Sequence, residues 1–362
     1  MNLASSVLPP GGGAVAGAVR VFIVDDSSLV RAAFSRLVAD EPGLELAGVA
    51  GTAEDALAQL GSLHVHVILL DLEMPGMGGM RALPEIIRRS GHAKVIVVSS
   101  LTAEGAEHTV QALAQGAADA MLKPTPGGFD HAYRDKLVQR IKGLGRRPLR
   151  RAHSQSDSGE LVPARRPFAA TRAEVIAIGA STGGIHATGL VLSALPPVIG
   201  VPILVTQHLP AEFTRPYANQ LAEMSGRAVD IAADGLELVP DRIVLAPGDA
   251  HLTVVRVNKR CVIRLERAPA VTGCMPSVDP MFASLAKVFG AGVLAVVLTG
   301  MGRDGTEGAG AVVAAGGNVI VQNEASSAVW GMPGAVAKAG LAAAVLHPTD
   351  IAQRIAGSVR PV

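Results

Sequence analysis

Apolar positions along this chain switch repeatedly between two spacings: short unbroken runs of the kind found in buried strands, and the three-to-four-residue recurrence of helices. Before residue 143 the switch occurs five times. Strands are predicted at Val19 to Val24, Leu44 to Ala50, Val65 to Leu70, Lys94 to Val98 and Ala118 to Leu122. Helices are predicted near Ser28 to Ala39, Ala53 to Leu60, Met80 to Arg89, Glu104 to Gln115 and Phe129 to Lys142. Successive βα units of this kind build an α/β fold with a parallel, doubly wound sheet.

From residue 174 the same alternation resumes. Val175 to Ile178 runs into Gly179-Ala180-Ser181-Thr182-Gly183-Gly184 and then into a helical pattern, Ile185 to Leu195. Val201 to Gln207 is an apolar strand ending in His208, ahead of a helical stretch from Phe213 to Met224, and Leu294 to Leu298 runs into a glycine-rich loop that carries Asp304. A second parallel-sheet α/β domain is expected over 174–356, after a first over 19–142. Between them, residues 143–173 hold no apolar period; Gly, Arg, Pro and Ser dominate, which predicts a solvated linker with basic patches. Residues 1–18 are rich in Ala, Gly and Pro and read as a disordered tail.

Composition sharpens this in three ways. Apolar residues make up 49% but aromatics only 3%, so the cores must be packed from Ala, Val, Leu and Ile between closely spaced layers. A formal charge of +1 supplies no field for a polyanion, which argues against nucleic acid as a partner. The two cysteines, Cys261 and Cys274, form neither a disulfide framework nor a recognisable metal motif and are read as packing residues. With no basic apolar leader and no run long enough to span a bilayer, the expectation is a cytoplasmic protein without membrane insertion.

Ligands of a parallel sheet bind at the carboxyl ends of its strands. In the first domain the residues there are Asp25 and Asp26, Asp71, Ser99 and Lys123. Crowded carboxylates are unfavourable unless a cation joins them, and a hard oxygen set of this kind suits Mg²⁺. Asp71 then has the surroundings of a phosphoryl acceptor, with Lys123 and the Ser99 hydroxyl binding the added oxygens. Helix capping is the plain alternative for the first pair.

In the second domain, Gly179-Ala180-Ser181-Thr182-Gly183 matches the G-x-S-x-G turn that presents a nucleophilic serine. Alone, the pattern is equally a glycine-rich strand-to-helix turn that caps the helix or holds a phosphate on its amides. His208 and Asp304, also just past strands, complete a Ser/His/Asp set that the topology would bring to one sheet edge. The chain order Ser, His, Asp differs from the Ser, Asp, His order of α/β-hydrolases, so a different sheet must hold it. A nucleotide-binding, non-enzymatic output domain is the competing reading, although no Walker or dinucleotide fingerprint is present.

Two resemblances carry this further. Val24-Asp-Asp-Ser27, Leu70-Asp-Leu-Glu-Met-Pro-Gly-Met77, Val98-Ser-Ser100 and Leu122-Lys-Pro124 resemble the receiver domain of response regulators. That implies a flavodoxin-like fold, phosphorylation at Asp71 by a histidine kinase, Mg²⁺ held by Asp25, Asp26 and Asp71, switching through Ser99 and Lys123, and a cis bond before Pro124. Gly78-Gly79 departs from the receiver pattern, where an acidic residue commonly precedes the glycine, and is expected to loosen that loop. Residues 173–356 resemble the catalytic domain of chemotaxis protein-glutamate methylesterases, on Ile178-Gly-Ala-Ser-Thr-Gly-Gly184, Gln207-His-Leu-Pro210, Leu245-Ala-Pro-Gly248 with His251-Leu252, Pro276-Ser-Val-Asp-Pro280, Leu298-Thr-Gly-Met-Gly-Arg-Asp-Gly305 and Gln322-Asn-Glu-Ala-Ser-Ser327 with Gly331-Met-Pro333. The resemblance implies Ser181 as nucleophile, His208 as base and Asp304 as its orienting carboxylate, with the Met301 amide in the oxyanion site and Thr182 lining it. It also implies a monomer that needs no cofactor for ester hydrolysis, acts on glutamyl methyl esters of chemoreceptor cytoplasmic domains, and deamidates receptor glutamines through the same nucleophile.

Overall fold

The computed structural model describes residues 17–100, 102–124, 129–145 and 167–359. Most of the stretches read as tail and linker therefore lie outside the described residues. The first unit contains β1 (Val19–Val24), α1 (Ser28–Asp40), β2 (Leu44–Ala50), α2 (Ala53–Leu60), β3 (Val67–Asp71), α3 (Gly79–Ser90), β4 (Lys94–Ser99), α4 (Ala103–Ala114), β5 (Asp119–Leu122) and α5 (His131–Gly145). Its sheet has the parallel order β2-β1-β3-β4-β5. Hydroxyls start three of these five helices: the side chains of Ser27, Thr52 and Thr102 accept from Val30, Asp55 and Gly105 amides, satisfying donors that a helix start leaves open.

The second unit contains β6 (Val175–Ala180), α6 (Gly184–Ser193), β7 (Ile203–Gln207), α7 (Thr214–Ser225), β8 (Val229–Ile231), β9 (Ile243–Leu245), β10 (His251–Val257), β11 (Arg260–Glu266), α8 (Val278–Phe289), β12 (Val293–Val297), α9 (Thr306–Ala314), β13 (Asn318–Gln322), α10 (Met332–Lys338), β14 (Ala344–Leu346) and α11 (Pro348–Ala356). Seven strands form a parallel sheet in the order β14-β13-β12-β6-β7-β9-β8. β10 and β11 form a separate antiparallel hairpin, turned by Asn258 and Lys259 at positive φ. The central strands are buried throughout and mostly aliphatic, with polar residues confined to Thr206, Gln207, Asn318 and Gln322 at or near their ends, as parallel strands between helical layers must be.

The two units share an interface. α4 lies against α6 and α7, and one buried apolar cluster continues from Val110 and Leu113 on α4 to Ile185 and Phe213 in the second unit. At the same seam, Met301's terminal methyl occupies the space beside Gly143 that a Cβ there would fill.

Three expectations change. β3 starts at Val67 rather than Val65 and continues through Asp71, which places the carboxylate at the last rung of the ladder. The bond before Pro124 is trans, the lower-energy form of an X-Pro amide by about 0.5–1 kcal/mol; the cis bond among the described residues joins Met275 and Pro276. The Gly78-Gly79 pair tightens its loop instead of loosening it. Gly78 takes φ 72°, the Gly79 amide donates to the Leu72 carbonyl at 3.1 Å, and a Cβ on Gly79 would overlap the Asp71 carbonyl. A residue with a side chain at position 79 would push α3 away from the Asp71 strand end.

Candidate active site and phosphorylation site

At the carboxyl edge of the first sheet, ligand atoms of Asp25, Asp26 and Asp71 lie within 4.8 Å of one another. Lys123 Nζ meets Asp71 Oδ2 at 2.6 Å, while Asp71 Oδ1 accepts from the Glu73 amide at 3.0 Å. Burial pushes the Asp25 carboxyl up to about 6, reinforced by the Asp71 charge. Asp71 is raised too, because burial outweighs the hydrogen bond from Lys123. Asp25 Oδ2 is buried without a hydrogen-bond partner. An orphaned carboxylate oxygen facing two further acids is what a hard divalent cation requires of its ligands, so the residues present fit the metal site that a receiver implies.

Ser99 is buried, and its hydroxyl accepts from Thr109 on α4 at 2.7 Å. The candidate switch residue is thereby joined to the helix that packs on the second unit. Glu73, two residues past Asp71, accepts from Ser100 at 2.7 Å.

At the corresponding edge of the second sheet, Ala180 and Gln207 are register partners on β6 and β7, so Ser181 and His208 leave adjacent strands side by side. The Ser181 amide donates to the Thr299 carbonyl at 3.0 Å, and the His208 amide to the Ala180 carbonyl at 3.0 Å. Gln207 Nε2 donates to the Ser181 carbonyl at 2.8 Å, pinning the turn from below. His208 Nε2 meets Asp304 Oδ2 at 2.7 Å. The Ser181 hydroxyl has no hydrogen bond to His208 among the described residues, so the structure pairs two of the three expected groups and brings the third to the same cavity. Nδ1 is the imidazole nitrogen left free of Asp304.

Asp304 is held more tightly than a lone sequence position suggests. Besides His208 it accepts from Ser277 Oγ and the Val278 amide, each at 2.7 Å. Burial alone would raise its carboxyl; His208 and these donors hold it well below the usual carboxylate range. Burial opposes the His208 imidazolium, but its hydrogen bonds with Asp304 and Cys274 prevail and push its pKa up to about 9. Ser277 is oriented in turn by His251, whose Nδ1 accepts from the Ser277 amide at 2.9 Å while Nε2 lies 2.9 Å from the Ala268 carbonyl. The sequence singles out the stretches around His251 and Ser277 without giving them a task, and no local signal announces this contact between residues 26 apart.

Met301 lies in the loop after β12, and its backbone amide donates to no group among the described residues. Thr182 lies beside the serine, but its hydroxyl is spent elsewhere, donating to Asp119 Oδ2 on the first unit at 3.0 Å. Arg140 Nη1 holds the other Asp119 oxygen at 2.8 Å. Next to this contact the Gly183 amide donates to the Ala118 carbonyl at 2.7 Å, and His186 Nδ1 lies 2.9 Å from the Ala114 carbonyl. The resulting cavity, about 290 Å³, is walled by Ser181, Thr182 and His208 on one side and by Asp119, Tyr133 and Arg140 on the other.

A receiver-type sheet with an acid cluster at its carboxyl edge, joined in one chain to a parallel α/β domain whose strand ends carry Ser181, His208 and Asp304, is the arrangement of a response regulator with a hydrolase-type output. Residues 21–130 match the response regulator receiver domain family and residues 176–355 the CheB methylesterase family. The chain is 42% identical over 348 residues to the protein-glutamate methylesterase/protein-glutamine glutaminase 2 of Caulobacter vibrioides, covering 95% of this chain and 100% of that one. It is 40% identical over 368 residues to protein-glutamate methylesterase/protein-glutamine glutaminase 1 of Rhodospirillum rubrum, covering 93% and 94%. The crystal structure of the Thermotoga maritima CheB methylesterase catalytic domain superposes with a TM-score of 0.51 at 35% identity, over 52% of this chain and 99% of that domain. The chain belongs to the receiver-linked protein-glutamate methylesterase family. Among the described residues, no helix is long and apolar enough to cross a membrane.

Proposed function

We propose that this chain hydrolyses glutamyl methyl esters, and deamidates glutamines, on the cytoplasmic domains of methyl-accepting chemoreceptors, under control of phosphorylation at Asp71 by a histidine kinase. The observation that carries the catalytic reading is the His208–Asp304 contact at 2.7 Å beside a serine on the neighbouring strand end. In this mechanism the Ser181 hydroxyl meets Nδ1, the nitrogen free of Asp304, once substrate is bound; apo sites often lack the bond that forms with substrate. The hydroxyl attacks the ester carbonyl, His208 takes its proton and returns it to the departing methoxide, and water then releases the acyl group by the same route. The Met301 amide faces the oxyanion, and an amide substrate follows the same path with ammonia leaving.

The control reading rests on the seam. The first unit bonds Thr182 and Gly183, the two residues that follow Ser181, and walls one side of the cavity that Ser181 lines, which narrows the approach of a receptor segment to the serine. Mg²⁺ at Asp25, Asp26 and Asp71 would neutralise charge on the incoming phosphoryl group. Lys123 and Ser99 bind that group's oxygens; engagement of Ser99 releases Thr109 and lets α4 shift on α6 and α7. The division into domains at 19–142 and 174–356, with action as a cytoplasmic monomer, belongs to the same proposal. Incubating the full chain with methyl-labelled receptor and measuring methanol release, with and without a small-molecule phosphodonor, tests it. Release that persists in Ser181→Ala, or that a phosphodonor leaves unchanged, overturns the corresponding half.

A further inference from the structure

Cys274 does more than pack. Its thiol, a nitrogen of His208 and a carboxylate oxygen of Asp304 all lie within 4.8 Å of one another, with Cys274 and His208 half-buried and Asp304 buried. We propose that these three side chains form an inhibitory site for a borderline-soft divalent cation of the zinc class, built on the His208–Asp304 pair itself. Whether metal binds there depends on the donor geometry alone; that binding stops the esterase rests on the reading of His208 as its base.

The donor set decides the class of ion. Sulfur, imidazole and carboxylate together are the ligands of tetrahedral zinc, whereas the all-oxygen cluster at Asp25, Asp26 and Asp71 suits Mg²⁺. Zinc bonds of about 2.0–2.3 Å set ligand atoms roughly 3.2–3.8 Å apart, so the thiol needs to close on the pair by at most about 1.6 Å, while His208 Nε2 and Asp304 Oδ2, now 2.7 Å apart, open slightly to admit the ion. The cluster is also well supported. Asp304 keeps its bonds from Ser277 Oγ and the Val278 amide, which fix one ligand before metal arrives. Cys274 and His208 are half-buried, so solvent reaches the cluster and can supply a fourth ligand. Binding replaces the thiol proton, and the imidazolium proton where present, and both leave to solvent. With its nitrogen ligated and its Asp304 contact exchanged for the metal, His208 has no lone pair aligned for the Ser181 hydroxyl.

Cobalt(II) loading of the chelator-treated full chain reads the site directly, because thiolate ligation gives an intense ligand-to-metal charge-transfer band that oxygen ligands do not. One equivalent of Co²⁺ should produce the band in the native chain, in Cys261→Ser and in Asp71→Asn. It should be lost in Cys274→Ser and in Cys274→Ala. In the unaltered chain, Zn²⁺ should protect Cys274 but not Cys261 from alkylation, mapped by mass spectrometry, which needs no variant to fold. The zinc concentration that halves each protein's own zinc-free esterase rate should rise at least tenfold in Cys274→Ser. A cobalt complex without a thiolate band, or alkylation of Cys274 at the same rate with and without zinc, would overturn the site. If instead the band appears but Ser181→Ala retains esterase activity, the metal site stands and the hydrolytic reading falls.

Discussion

The two strand-end clusters occupy equivalent places on their sheets and are electrostatic opposites. Around Asp71 the carboxylates are under-served: Asp25 is pushed up to about 6 by burial and by its neighbour, and one of its oxygens meets nothing. Around Asp304 every demand is met, by Ser277, Val278 and His208, and the carboxyl is held low. The acid cluster proposed to receive a cation and a phosphoryl group is left short of positive charge; the carboxylate that holds the His208 imidazole is saturated with donors. The fold supplies the position, and the local donor count decides the task.

Four measurements would break or sharpen that contrast. The largest effect falls on the saturated site: Ser181→Ala and His208→Ala should each lower kcat by roughly 10⁴-fold or more, and a serine-directed phosphonate should label the native chain but not Ser181→Ala. Labelling of Ser181 at full rate in His208→Ala would remove His208 from the base role. Next, the rate should follow pH. The folded His208 pKa is raised to about 9, so the imidazole is protonated below that value, and kcat/KM should climb about tenfold per pH unit from pH 6 toward 9. By linkage, the charged pair stabilises the fold below the unfolded histidine pKa near 6.5, and that contribution is lost as pH rises from there through about 9. A flat pH profile would contradict the assignment.

A smaller effect belongs to the seam. Asp119→Ala removes the acceptor shared by Thr182 and Arg140 and should raise the unphosphorylated esterase rate about three- to tenfold, the worth of one charge-assisted contact. An unchanged rate in a folded variant would separate that contact from control. The smallest effect falls on the under-served site. Because the Asp25 pKa is raised, its charge destabilises the fold above the ordinary carboxylate range, and lowering pH from 7 toward 5 relieves it. Millimolar Mg²⁺ at pH 7 should therefore raise Tm by about 2 °C or more, an effect that Asp25→Asn diminishes.

How much of this could be read beforehand differs between the clusters. The strands and the residues that follow them were visible because buried parallel strands are written as unbroken apolar runs; β1, β2 and α2 end where the pattern does. Asp25, Asp26, Asp71 and Lys123 converge as strand-end logic predicts, since the sheet alone places them. His208 and Asp304 meet for the same reason. The trans bond at Pro124 and the tight Gly79 packing were not readable, because both depend on which atoms stand opposite in space. The hairpin β10–β11 was overlooked although its alternation and its Asn258-Lys259 turn were present. The support given by Ser277 and His251 is long-range, and no local spacing encodes it. Cys274 was read as packing because its partners come from distant stretches of the chain.

The bond from the Gly183 amide to the Ala118 carbonyl has a quantitative consequence. Under the proposed control the first unit would be a tethered competitor for the serine turn: being part of the same polypeptide, it would act at an effective concentration on the order of millimolar, untouched by dilution. A receptor segment would then reach Ser181 only in the uncovered fraction, and its apparent affinity would be its intrinsic affinity scaled by that fraction. Signalling that uncovers the turn would thus be felt first as a fall in KM at low receptor occupancy, and hardly at all when receptor is saturating.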